Sequence, residues 1–200
     1  MIYMKRIIII PLLLLFLASC SNIPVFESDG HGNLTDRANN RVYIRSGNLI
    51  AAEIMPEPFA RYDGGRTLHA IPGIDPAEWL SDNTVDLGMA AVFRESSVEE
   101  PALENFGTER IHVMELGDAL DMRIFTITDA RQIQQITDDF VHGENISRPF
   151  DLVSRRLLYF ESPAYPGLYY VLEYLTDSDG QAYLSNTGRD RCVRLTNPLR

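Results

Sequence analysis

From Arg41 onward short apolar runs alternate with clusters of Gly, Pro, Asn, Asp and Ser, a pattern that predicts strands joined by turns. Residues 41–45 and 49–54 read as two strands joined by a hairpin loop at Ser46-Gly47-Asn48. Pro56 and Pro58 end that run, and Asp63-Gly64-Gly65 makes a turn before a strand over residues 67–71. Asp75-Pro76-Ala77-Glu78 predicts a short helix over about residues 75–82, with Asp75 as N-cap, Pro76 in the first helical position and Glu78 completing a capping box. Residues 85–93, 110–116 and 122–128 continue the strand pattern. An acidic loop interrupted by Pro101 separates the first two of these segments.

The period changes to that of a helix over about residues 129–142. Ile133, Ile136, Phe140 and Val141 fall on one face there, and Gly143 supplies the stop. Beyond Pro149 the pattern predicts a β-meander of segments 156–161, 168–175, 180–185 and 191–195, joined by short turns that require antiparallel pairing. The expected fold class is α+β: an antiparallel β-sheet carrying one amphipathic helix (129–142) and one short helix (75–82), closed by the C-terminal meander. Residues 41–200 are expected to form one domain, preceded by a polar tether over residues 20–40.

The first twenty residues follow another logic. Lys5 and Arg6 precede twelve apolar residues, 7–18, and Leu17-Ala18-Ser19-Cys20 closes the run. That run is shorter than the roughly 20 apolar residues a membrane-spanning helix needs. Its length and basic flank fit a secretory signal. Leu17-Ala18-Ser19-Cys20 resembles the lipobox of bacterial lipoproteins. The resemblance implies cleavage after residue 19, lipid attachment to Cys20, and a protein exported and anchored to the cell membrane, or to an outer membrane where the organism has one. Two or more acyl chains anchor stably where one is marginal.

Composition narrows the partners. Lys5 is the single lysine, so the part beyond residue 19 has 16 arginines against 28 acidic residues, a formal charge of 16 − 28 = −12. Such a surface repels phosphate backbones and disfavours nucleic acid. With Cys20 acylated, Cys192 is the only remaining thiol and no intramolecular disulfide can form. Stability must then come from the core.

Few motifs carry chemistry. Six of the nine tyrosines lie between Tyr159 and Tyr183. Tyr169, Tyr170, Tyr174 and Tyr183 are the candidate ligand-binding face, a platform for sugar rings or a peptide; strand propensity and core packing are the alternative account of them. Thr176-Asp177-Ser178-Asp179-Gly180 resembles part of a calcium loop but lacks the spacing of ligands, and a hairpin turn with Gly180 at positive φ is expected instead. Asp29-Gly30 with Leu34 is echoed by Asp179-Gly180 with Leu184, which suggests one turn chemistry used twice. His31, His69, His112 and His142 form no metal-binding pair. No nucleophile motif surrounds any serine or Cys192. No catalytic residue, metal or cofactor is therefore expected.

Two functions remain. The first is a non-enzymatic envelope domain that binds a protein, peptide or glycan, or helps assemble a complex. The second is an envelope hydrolase whose carboxylates or histidine meet only in three dimensions, since two-carboxylate sites have no fixed sequence spacing.

Overall fold

Strands dominate because short runs rich in β-branched, aromatic and other apolar residues, bounded by turn residues, recur along most of the chain. The computed structural model describes residues 23–86, 89–117 and 122–199. Cys20 and the apolar segment before it lie outside them. The strands are β1 (Glu27–Ser28), β2 (Asn33–Asp36), β3 (Arg41–Ala51), β4 (Pro58–Tyr62), β5 (Arg66–Ala70), β6 (Trp79–Asp86), β7 (Met89–Glu95), β8 (Arg110–Glu115), β9 (Met122–Ile127), β10 (Leu152–Glu161), β11 (Leu168–Asp177), β12 (Ala182–Asn186) and β13 (Cys192–Arg194). One α-helix, α1 (Ala130–His142), completes the fold. The result is a mostly antiparallel β architecture with a single helix among the described residues.

The sheet runs in the order β4-β5-β6-β7-β3-β11-β10-β8-β9 and branches at two strands. One edge of β3 pairs throughout with β7, and its other edge is divided between β2 and β11. Likewise β11 pairs along its length with β10 on one side, and with β3 and then β12 on the other. This branching makes two sub-sheets, and the two largest hydrophobic clusters lie one on the helix side, drawing on both sub-sheets, and one on the N-terminal sub-sheet. The larger core joins Ile133, Ile136 and Phe140 of α1 to Val113, Leu158, Phe160, Leu172 and Leu184. The smaller packs Phe26, Leu34, Tyr43, Tyr62, Leu68, Leu80 and Phe93 on one face of the N-terminal sub-sheet.

Helix α1 begins where Asp129 Oδ1 accepts the Gln132 amide at 2.9 Å. It stops at Gly143, although not by a left-handed residue: φ there is −62°. The glycine is required by closeness, because a Cβ would lie 2.3 Å from the Asp139 carbonyl and 3.2 Å from Val193 Cβ. Arg191 seals this end, donating from Nε to the Phe140 carbonyl (2.9 Å) and from Nη2 to those of Val141 (2.9 Å) and Gly143 (3.1 Å).

Three sequence expectations are corrected. The short helix over 75–82 does not form. Asp75 does cap, accepting the Ala77 amide at 2.8 Å, but the turn lasts only to Glu78 and Trp79 opens β6. Burial of Trp79 and Leu80 against neighbouring strands outweighs a capping preference of about 1 kcal/mol. The hairpin at Ser46-Gly47-Asn48 is instead an irregularity inside one continuous strand. Both halves of β3 pair with β7, and the register shifts between Arg45 and Ile50. The polar tether ends earlier than expected. Phe26 and Leu34 are buried, β1 and β2 extend the sheet, and the Phe26 amide donates to the Arg61 carbonyl at 2.7 Å.

Candidate functional site

Strand register brings a polar cluster together on the face that carries the smaller core. Tyr62 ends β4 and Arg66 opens β5, and the turn between them places the two directly opposite one another. That turn needs left-handed backbone, supplied by Gly64 (φ 68°) and Gly65 (φ 103°). Asp82 of β6 pairs with Leu68, two residues beyond Arg66. A period of two therefore puts Asp82 on the same side as Arg66 and Tyr62. Arg45 of β3 pairs with Phe93 of β7 and joins the same face.

These side chains line an open cavity of about 280 Å³, bordered also by Gly30 and Gly32 of the β1–β2 loop. Asp82 is 1 % exposed at its floor. Its Oδ2 accepts the Tyr62 phenol at 2.5 Å and Arg66 Nη2 at 2.5 Å. The Arg66 guanidinium also lies 5.0 Å from the centre of the Tyr62 ring. Burial, then the hydrogen bond to Asp82, pushes the Tyr62 phenol well above its ordinary range, so it stays a proton donor. Arg45 is exposed at the rim. Sequence reasoning missed this group, because its members are distant in the chain and are joined only by pairing.

A second constellation crosses the other end of the sheet. On β8, His112 faces Thr126 of β9 and Tyr159 of β10. Its Nε2 lies 2.7 Å from Glu161 Oε2 and its Nδ1 lies 3.0 Å from Thr126 Oγ1. A carboxylate only accepts, so Nε2 donates to Glu161, and in a neutral ring Nδ1 accepts the threonine hydroxyl. Arg110 Nη1 reaches Glu161 Oε1 at 3.3 Å. Glu161 and Tyr169 border a cavity of about 340 Å³ together with Glu109, Arg110 and Tyr165. Neither His112 nor Thr126 lines it.

The four candidate tyrosines do not make one face. Tyr170 and Tyr174 point toward the helix and are buried in the larger core. Burial pushes the Tyr170 phenol up to about 12. Tyr169 and Tyr183 lie on the opposite side. Tyr169 is half-buried, stacks on Tyr159 with ring centres 5.5 Å apart and meets His112 edge-on at 5.7 Å. Tyr183 is buried against Leu175 and Cys192, its hydroxyl donating to Asp177 Oδ2 at 2.6 Å. Packing thus accounts for three of the four.

The remaining sequence candidates have structural partners. Asp177 Oδ1 accepts the amides of Asp179 (3.1 Å) and Gln181 (2.8 Å), and Gly180 has φ 78°, so the calcium-like segment is a hairpin turn. Asp29 Oδ1 accepts the amides of His31 and Asn33 in the same way, so the true counterpart of Asp29 is Asp177, not Asp179. His69 is buried between the Met55 carbonyl (2.7 Å) and Thr67 Oγ1 (2.9 Å), and burial raises the thiol pKa of Cys192. Among the described residues, no group of three or more His, Cys, Asp or Glu could hold a metal ion, and no helix is long and apolar enough to cross a membrane. No protein-family model, curated protein or solved structure matches this chain.

Proposed function

We propose that this protein is a lipid-anchored component of the cell envelope whose β domain binds a ligand. The anchor rests on Leu17-Ala18-Ser19-Cys20, which resembles a lipobox. The binding part rests on one observation: a buried carboxylate, Asp82, fixes Tyr62 and Arg66 at the floor of an open cavity. Preformed polar groups in a concavity are what a small-ligand site requires, because their orientation is set before the ligand arrives. A volume of about 280 Å³ lies at the small end for such sites, suited to one sugar ring or one or two amino-acid residues. A glycan or peptide would therefore engage through one unit or one end.

Labelling cells with a clickable palmitate analogue tests the anchor, and a thermal-shift screen of the full chain against sugars and short peptides tests the binding. Labelled protein in the membrane fraction and a ligand-dependent rise in melting temperature are the expected results. An unlabelled, soluble protein sinks the first part, and a flat screen sinks the second.

His112 gives a specific reason to weigh an envelope hydrolase as well. Thr126, His112 and Glu161 form a hydroxyl–imidazole–carboxylate chain, the ingredients of nucleophilic catalysis. The arrangement ranks second because the neighbouring cavity touches the carboxylate and leaves the hydroxyl outside. Hydrolysis of nitrophenyl esters by the wild-type chain, lost in His112→Gln, would reverse that ranking.

A further inference from the structure

The charge arrangement of the Asp82 cavity assigns a class to its ligand. The chain beyond residue 19 carries 16 arginines against 28 acids, whereas this cavity is lined by two arginines and two aspartates, a formal balance that departs from the general surface. Arg45 and Arg66 both line it. The acidic liners are differently disposed. Asp82 is buried beneath the cavity, its Oδ2 already accepting from Tyr62 and Arg66, while Asp63 is exposed in the turn between β4 and β5. Asp82 thus neutralises and orients Arg66, and Arg45 retains its charge. Among the described residues, the Arg45 side chain makes no hydrogen bond or ion pair. Its neighbours in β3 use their side chains otherwise: Tyr43 is in the core with its hydroxyl near the Pro76 and Ala77 carbonyls, and Ser46 Oγ accepts the Leu49 amide.

Resting on the binding role proposed above, we infer that the cavity takes a small organic molecule through an oxyanion, a carboxylate or a phosphate. Arg45 supplies the charge and planar donor fork, and Arg66 borders the same space from a position locked by Asp82 and the Tyr62 ring. A guanidinium meets either oxyanion through two parallel N–H bonds, which gives orientation as well as attraction. Holding Arg66 in place beforehand lowers the ordering cost of binding. The apolar wall of Phe93 and Ala91 would face the body of the ligand. Steering toward the site opposes the overall negative field, so binding must depend on these local contacts and weaken as salt screens them.

The test is isothermal titration of the full chain in detergent with galacturonate, its neutral counterpart galactose, malonate and inorganic phosphate. Binding of galacturonate and malonate, with phosphate weaker, points to a carboxylate; phosphate binding tightest points to a phosphate; either supports the inference. Arg45→Ala should weaken the preferred anion by at least about tenfold, the scale of one charge-assisted hydrogen-bonding contact, with unchanged melting temperature because the Arg45 side chain has no partner among the described residues. Arg45→Lys should restore only part of the affinity. Galactose binding as tightly as galacturonate overturns the oxyanion assignment and leaves the binding role standing. No binding of any of the three anions, or anion binding indifferent to Arg45→Ala, also overturns it. The thermal-shift screen against sugars and short peptides judges the binding role separately.

Discussion

The Tyr62 hydroxyl donates to a carboxylate oxygen of Asp82 at 2.5 Å, deep in the smaller core and twenty residues away along the chain. Neither group could be buried there alone, since an unpaired carboxylate in an apolar core is among the costliest arrangements a fold can contain. Asp82 is nevertheless within reach of Arg66, whose side chain is 47 % exposed. The buried pair thereby links the core to the solvent-facing cavity.

Removing Asp82 should be more damaging than removing its phenol partner. Asp82→Ala leaves Tyr62 and Arg66 without their shared acceptor and should lower stability by about 2–4 kcal/mol, below the full cost for a buried pair because Arg66 is half in water. Tyr62→Phe should cost about 1–3 kcal/mol. Urea unfolding followed by tryptophan fluorescence measures both, and equal stabilities for the two variants would contradict the arrangement.

Alkaline pH should unfold the protein partly through Tyr62. Its folded phenol titrates above the unfolded value, because burial and Asp82 both oppose ionisation. The stabilisation is therefore complete below about pH 10, the unfolded value, and is lost as pH rises through the raised folded value. Stability measured from pH 8 to 11 should fall less steeply in Tyr62→Phe than in the wild type.

The acid limb has a different origin. Hydrogen bonding from Tyr183, then from the Gln181 and Asp179 amides, holds the Asp177 carboxyl below its ordinary value. The stabilisation is present above about pH 4 and fades as pH falls through the depressed folded value. Tyr183→Phe removes the first of these bonds, so the loss of stability between pH 5 and 2 should be shallower in that variant; an unchanged acid limb would refute the assignment.

Neighbouring tyrosines should respond unequally to truncation. Tyr170 lies in the core beside Phe106 and Phe160, so Tyr170→Ala should cost about 3–5 kcal/mol. Tyr169 is half-buried, and Tyr169→Ala should cost about 1–2 kcal/mol, in proportion to the smaller area covered. Melting temperatures of the two variants rank them directly.

Cys20→Ala should abolish incorporation of the palmitate analogue and leave the precursor unprocessed or released from the membrane. Undiminished labelling in that variant would sink the proposed anchor at Cys20.

Much of the fold was legible because burial on one face imposes a visible period. The helix over 129–142 emerged this way, whereas the C-terminal strands, buried on both faces in β11 and β12, were marked by the turn residues between them. The 75–82 segment misled because its capping signals are real and are used, but for a single turn. Phe26 closes the short run Ile23-Pro24-Val25-Phe26 and Leu34 stands among polar residues, too little to show a period, and only pairing with the rest of the sheet reveals them as core. Tyr169 and Tyr170 could have been separated from sequence alone, since adjacent strand residues face opposite sides. The Asp82 cavity had one local trace, the Tyr62-Asp63-Gly64-Gly65-Arg66 turn that sets residues 62 and 66 opposite each other. Asp82 and Arg45 come from other strands and left no spacing to read.

The shared edge of β3 bears on how such a chain could reach an envelope. Ile50 finds its partner in Tyr169 and Ala51 in Leu168, residues made long after β3 has left the ribosome. The N-terminal half therefore cannot complete its sheet until the C-terminal half arrives, and closure across so much intervening chain is slow. Slow closure keeps a nascent polypeptide thin and threadable. If the chain is exported as proposed above, a topology that delays its own completion favours passage through a translocation pore before folding can block it.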